Sequence, residues 1–206
     1  MTVEARRTPA DVWREMARGN ERFVAGEPAH PRQDAERRTE LAGGQAPHVA
    51  LFGCSDSRLA AEIIFDKGLG DLFVVRNAGQ VISDSAIASL EYAVAVLDTP
   101  LIVVLAHDAC GAVQAAIDLD SPDARPLPPH IAGHIAGIRP AVRAAATRDP
   151  ETVGHVHLER TVQALVERSE LVSDAVAAGT LAVVGANYRL EEGRVVPDVV
   201  LGDIGS

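Results

Sequence analysis

The chain has 206 residues, 47% of them hydrophobic and 23% charged, which is the balance of a soluble globular domain able to bury a sizeable core. A formal net charge of −10 repels nucleic acid and anionic membrane surfaces, and an aromatic content of 3% leaves few rings for stacking bases, so neither is an expected partner. Two cysteines are too few for a disulfide scaffold and suit a reducing, cytoplasmic setting; the start, MTVEARRTPADVWREM, has no apolar signal core, and no apolar run reaches the roughly 18 residues of a membrane span.

In chain order, the first predicted element is a helical arm. Thr8 is a good N-cap, Pro9 suits the first helical position and Asp11 falls three residues after the cap. Val12, Trp13, Met16, Phe23 and Val24 form an apolar stripe, interrupted near Gly19. Residues 26–47, rich in proline, glycine and charge, read as an extended connector. Strand–helix alternation follows. HVALFGC (48–54) and DLFVVRN (71–77) have strand length, and PLIVVLAH (100–107) is a nearly unbroken β-branched run, as in a strand covered on both faces. Ile87, Leu90, Val94 and Leu97 recur at helical spacing between the last two.

Residues 130–147 and 155–172 read as helices, and TLAVVGANY (180–188) as a fourth core strand. RVVPDVVL is strand-like, and Pro197 confines it to an edge. Pro126, Pro128 and Pro129 mark a surface loop. The expected fold is therefore α/β: a mostly parallel central sheet of about four parallel strands plus an edge strand, flanked by helices, with an N-terminal helical arm. Residues 1–47 form the arm and connector, and 48–206 a single functional α/β domain.

The chemistry concentrates in two short segments, CSDSR (54–58) and HDAC (107–110). In an open parallel sheet, ligands gather beyond the carboxyl ends of the strands. Cys54 ends the first predicted strand, His107 ends the third, and Cys110 follows one turn later, beside Gly111 where a helix should begin. Two thiolates and an imidazole at one rim suit a divalent ion, zinc before others, and three protein ligands leave a tetrahedral ion one open position. A helix N-terminus near Cys110 favours its thiolate. Asp56 either fills the open position or turns to Arg58, whose guanidinium can hold a carboxylate at two points. Two buried free thiols, or a Cys54–Cys110 disulfide, are the competing readings of the same residues. No Cys-x-x-Cys is present to support a thioredoxin-like role.

At these residues the sequence resembles the β-class carbonic anhydrases, whose pattern is Cys-x-Asp-x-Arg after the first strand and His-x-x-Cys after a later one. GDLFVVRNAG (70–79), ASLEYAVAVL (88–97) and, more weakly, GANYRLEEGRV (185–195) extend the likeness over nearly the whole chain. The resemblance implies that Cys54, His107 and Cys110 bind zinc, that Asp56 and Arg58 form a switching dyad able to place Asp56 on the metal or off it, and that a zinc-bound hydroxide reversibly hydrates carbon dioxide to bicarbonate and a proton. It also implies a homodimer or homotetramer in which N-terminal helices embrace the neighbouring subunit. That neighbour would cover the Val12–Val24 stripe. Some relatives carry a bicarbonate inhibition site of a tryptophan, an arginine and a tyrosine; Arg76 and Tyr188 match two of these, but Leu51 stands where the tryptophan would be. Rival functions are hydrolysis of a related heteroallene (carbon disulfide or carbonyl sulfide) and a non-catalytic zinc or redox sensor. The Asp56–Arg58 pair in register speaks against the sensor.

Remaining candidates are read as structural. His130 and His134 lie four apart on a predicted helix without an intervening carboxylate, His155 and His157 as solvated or at a subunit contact, and Asp66 and Asp71 as turn residues. RNAGQ (76–80) is expected to approach the site closely, because Gly79 permits unusual backbone angles. No phosphate-binding loop and no Gly-x-Gly-x-x-Gly is present.

Overall fold

The computed structural model describes residues 7–121 and 123–205. The core is a five-stranded sheet of β1 (Val49–Cys54), β2 (Leu72–Asn77), β3 (Leu101–His107), β4 (Ala182–Arg189) and β5 (Arg194–Leu201). Its order is β2-β1-β3-β4-β5, with β5 alone antiparallel, as the sequence pattern implies. β1 and β3 are buried along their entire length, which their continuous apolar runs require. Pro197 lies on the edge strand at a register shift opposite Gly185 and Ala186, where it removes no bond from a central ladder.

One face of the sheet packs against α1 (Pro9–Ala25), α3 (Ala61–Ile64), α5 (Gly111–Leu119), α6 (Pro129–Ile135) and α7 (Arg139–Ala144). The other carries α4 (Asp84–Ala95), α8 (Pro150–Arg168) and α9 (Glu170–Ala177). A short helix, α2 (Ala35–Glu40), with a 3₁₀ turn at Leu41–Gly43, lies before β1. Among the described residues, no helix is long and apolar enough to cross a membrane.

Local sequence explains where these elements start and where the expectations fail. Thr8 caps α1 by accepting from the Asp11 amide, with Pro9 behind it. The connector expected to be extended contains α2 because the Asp34 side chain caps it at the Arg37 amide and Arg37 pairs with Glu40 one turn on. The single helix expected over 130–147 is two: α6 stops before Gly137, and Pro140 opens α7, where its missing N–H is harmless. The helix expected over 155–172 begins at Pro150 under an Asp149 cap and ends at Ser169, whose hydroxyl accepts from the Val172 amide and starts α9. Ser169 also donates to Glu91 of α4 at 2.6 Å, which ties the two helices of that face together.

The apolar stripe of the arm finds cover within its own chain. Val12 and Met16 are buried in the core beside α3, and Trp13 and Phe23 pack partly against it. Asn20, also buried, fixes the docking: its amide donates to the carbonyls of Ile64 and Gly193, and its oxygen accepts from the Val195 amide. Asp66 and Asp71 are more than turn residues. Asp66, whose side chain is fully buried, accepts from Arg22 at 2.6 Å and from the amides of Ala29 and His30. Asp71 holds Arg32 at two points. Charge alone hides this, since turn aspartates and anchoring aspartates share one local pattern.

Gly19 is where the arm touches the turn after α3 most closely. A Cβ there would lie 1.9 Å from the carbonyl oxygen of Phe65. In a free helix, glycine to alanine stabilises by about 1 kcal/mol. Here the backbone contact reverses the sign, and Gly19→Ala is expected to destabilise the fold by about 1–3 kcal/mol, as overpacking does, in denaturant titration. A gain in stability would show that the arm does not dock at this depth.

Candidate metal centre

The chain order puts the site together. From β1 the chain goes to β2 on one side and then crosses to β3 on the other, so the connections diverge between the carboxyl ends of β1 and β3. Cys54 is the last residue of β1 and His107 the last of β3. Cys110 caps the start of α5 after a tight turn through Ala109, which adopts φ of 48°, unusual for a residue with a side chain. That turn is pinned from outside: the Asp108 carboxylate accepts from the Leu190 amide, and the Asp108 amide donates to the Tyr188 carbonyl.

Cys54, His107 and Cys110 are all buried, and one ligand atom from each lies within 4.8 Å of the others. Both cysteines are free thiols, not a disulfide. His107 Nδ1 donates to the Asp108 carbonyl at 2.7 Å, which fixes the tautomer and leaves Nε2 as a bare acceptor. Nε2 is buried and has no hydrogen-bond partner. A buried polar atom left alone is costly, and a cation is the partner this geometry provides for. The donors fit zinc, which takes thiolate sulfur and imidazole nitrogen together.

The thiols are already polarised. The neighbouring Cys110 thiol above all, then His107 and the amides of Gly79 and Asp56, pull the Cys54 thiol down against its burial. The same pairing, with burial, pushes the Cys110 thiol up. A divalent ion that binds both sulfurs as thiolates must displace the protons they carry.

Asp56 stands beside this trio and faces Arg58. Its Oδ1 accepts from Arg58 Nε and from the Arg58 amide, both at 2.9 Å, and its Oδ2 accepts from Arg58 Nη2 at 2.7 Å. The guanidinium holds the Asp56 carboxyl well below the usual carboxylate range. Its Oδ2 remains 3.9 Å from His107 Nε2, next to the space the three ligand atoms surround.

Arg76 braces the site from the neighbouring strand. Its Nε donates to the Cys54 carbonyl at 2.9 Å and its Nη2 to the Asp56 carbonyl at 2.7 Å, bracing the backbone that carries both side chains. Leu51 is buried in the sheet core, and Tyr188 is buried as well. The expected close-approach loop is present: Gly79, at φ of 76°, donates its amide to Cys54 Sγ at 3.2 Å. Two histidines brace this loop, and His157 departs from its expected solvated position. His157 is buried and donates from Nε2 to the Gly79 carbonyl at 2.7 Å, and His134 donates from Nε2 to the Ala78 carbonyl at 2.8 Å. Their helical positions gave no sign of this, because the carbonyls they meet lie far away in sequence. His155 pairs with Asp198 of the edge strand, away from the trio.

Comparison with known proteins bears on what this site does. A family model described as carbonic anhydrase matches residues 49–195. Carbonic anhydrase 2 of Mycobacterium tuberculosis is 46% identical over 200 residues, covering 96% of this chain and 96% of that protein. A carbonic anhydrase of Mycolicibacterium smegmatis is 46% identical over 201 residues, covering 96% of this chain and 97% of that one. Among solved structures, one of two tetrameric β-carbonic anhydrases of Sordaria macrospora superposes with a TM-score of 0.69 at 27% identity, covering 88% of this chain and 94% of that chain.

Proposed function

The chain belongs to the β-class carbonic anhydrases, and from that premise we propose that Cys54, His107 and Cys110 hold a catalytic zinc ion while Asp56 and Arg58 gate its fourth position during reversible hydration of carbon dioxide. The observation that carries this reading is the orphaned, buried His107 Nε2 facing two polarised sulfurs, with a carboxylate held just to one side. Zinc, when bound, supplies a Lewis acid that ionises a coordinated water.

The protein's own groups do the rest. The two cysteines neutralise the ion's charge as thiolates, so the water's proton leaves at a higher pH than in a site of three neutral histidines. Arg58 occupies the Asp56 carboxylate on two sides and keeps it off the metal. The remaining lone pairs of Oδ2 accept a hydrogen bond from the nucleophile and aim it at the substrate carbon. Because Arg58 holds the Asp56 carboxyl well below the usual carboxylate range, this acceptor is ionised at neutral pH. Asp56 would be the residue to close the site, since its Oδ2 lies 3.9 Å from His107 Nε2 and would be free to approach a bound ion on parting from Arg58. Arg76, by clamping the Cys54 and Asp56 carbonyls, limits that swing to the Asp56 side chain. Carbon dioxide is apolar and uncharged, so the site requires no cationic grip for it.

The same reading makes the chain a homodimer or homotetramer working in a reducing, cytoplasmic compartment. Its support is the outer strand β5, which leaves Val196 and Val200 exposed, together with two free cysteines and the tetrameric Sordaria relatives.

Stopped-flow hydration assays test the dyad. Arg58 is exposed, so its loss should barely change stability. Arg58→Ala is expected to lower kcat/KM by about 10²-fold or more through misorientation, with zinc content unchanged. Wild-type rates in that variant would remove the dyad from the mechanism.

The pH dependence has a defined sign. The nucleophile arises by proton loss, so the hydration rate should rise with pH across the neutral and mildly alkaline range. Asp56, with its lowered pKa, loses charge only below the ordinary carboxylate value near 4, so it does not produce this limb. A flat profile between about pH 6.5 and 9 would contradict a nucleophile formed by ionisation of water.

A further inference from the structure

The peptide joining Ala78 to Gly79 faces two ways. Its N–H donates to Cys54 Sγ at 3.2 Å, and its carbonyl accepts from His134 Nε2 at 2.8 Å. The following carbonyl, that of Gly79, accepts from His157 Nε2 at 2.7 Å. Carbonyl oxygens only accept, so both imidazoles carry their proton on Nε2. His157 is neutral, because burial pushes its pKa down. The loop is tight in other respects as well. A Cβ on Gly79 would lie 2.7 Å from Ala112 Cβ and 2.9 Å from Ile138 Cδ1. Asn77 closes the loop with two side-chain bonds to Val81, each of 2.8 Å.

We propose that His157 and His134 are positioning residues for the metal centre: by holding the two peptides that flank Gly79, His134 of α6 the 78–79 peptide and His157 of α8 the 79–80 peptide, they aim the Gly79 N–H at the Cys54 sulfur and so set how much charge that sulfur donates to a bound metal. The inference rests on the zinc reading above. A hydrogen bond to a thiolate withdraws electron density from sulfur, which leaves the metal more electrophilic and the ligand better oriented. His157 acts from within the core, where no water replaces its N–H, and carries the larger share. His134 is only partly buried, and water substitutes for it in part.

Cobalt(II) in place of zinc reports the sulfur's donation directly, through the thiolate-to-metal charge-transfer band of the full-length protein. His157→Phe keeps a ring in the core but lacks the N–H, whereas His157→Gln returns an amide donor. In His157→Phe the band should move to lower energy, and the metal should pass to a competing chelator with about 10–100-fold weaker retention. His157→Gln should recover both toward wild type. A role confined to packing would lower the unfolding temperature and leave the band in place. Should His157→Phe fail to fold, His134→Ala decides, with a shift in the same direction and smaller. Unmoved bands in every folded variant, or a shift that glutamine does not recover, would overturn the inference. A wild-type protein with no thiolate–cobalt band at all would instead overturn the metal reading beneath it.

Discussion

Two sulfurs and one bare imidazole nitrogen, buried together, are left without adequate partners unless a cation joins them. The pairing pulls the Cys54 thiol down and pushes the Cys110 thiol up, and His107 Nε2 has no hydrogen-bond partner. Such a cluster lowers the stability of the apo fold, since an unmade buried hydrogen bond costs about 1–3 kcal/mol. The surrounding structure holds it in place all the same. The Asp108 carbonyl fixes the imidazole, the cap of α5 fixes Cys110, and the end of β1 fixes Cys54. The rigidity belongs to a fully buried pair of strands, β1 and β3, diverging at the one position where the sheet's connections reverse.

Around that trio the protein arranges groups by charge. Arg58 faces Asp56 and holds its carboxylate beside the trio at two points. Arg76 grips backbone in place of side chain, and so contributes orientation without adding a ligand. The 78–80 loop delivers an amide to sulfur and is bonded in turn by two distant histidines. Acceptor, candidate ligands and supporting dipoles therefore come from the ends of three neighbouring strands, β1, β2 and β3, and the turns that follow them. The arrangement agrees with the family assignment, because a small apolar substrate has to be met by an oriented nucleophile and not by a charged pocket.

Much of this was legible in the sequence, for particular physical reasons. Strands covered on both faces write themselves as unbroken β-branched runs, so PLIVVLAH and HVALFGC declared both their type and the rim at which they end. The two ligand segments fell at those ends, and the trio's proximity followed from topology alone. Helix interruptions were harder to see. The breaks at Gly137 and Ser169 depend on whether a serine hydroxyl or a proline ring meets its partner, which periodicity does not record. The anchoring of Asp66 by Arg22, and the reach of His157 to Gly79, join residues far apart in the chain. Only the folded arrangement pairs them. The arm's stripe was visible, but its burial against the turn after α3 was not, because Gly19 reveals a close approach only once Phe65 lies beside it.

The account turns on the metal and its donors, and X-ray absorption at the zinc edge tests both together. Protein purified under reducing conditions without added chelator should hold one zinc per chain, with two sulfurs at about 2.3 Å and one nitrogen at about 2.0 Å. A protein free of metal, or a zinc surrounded by oxygen and nitrogen without sulfur, would contradict it.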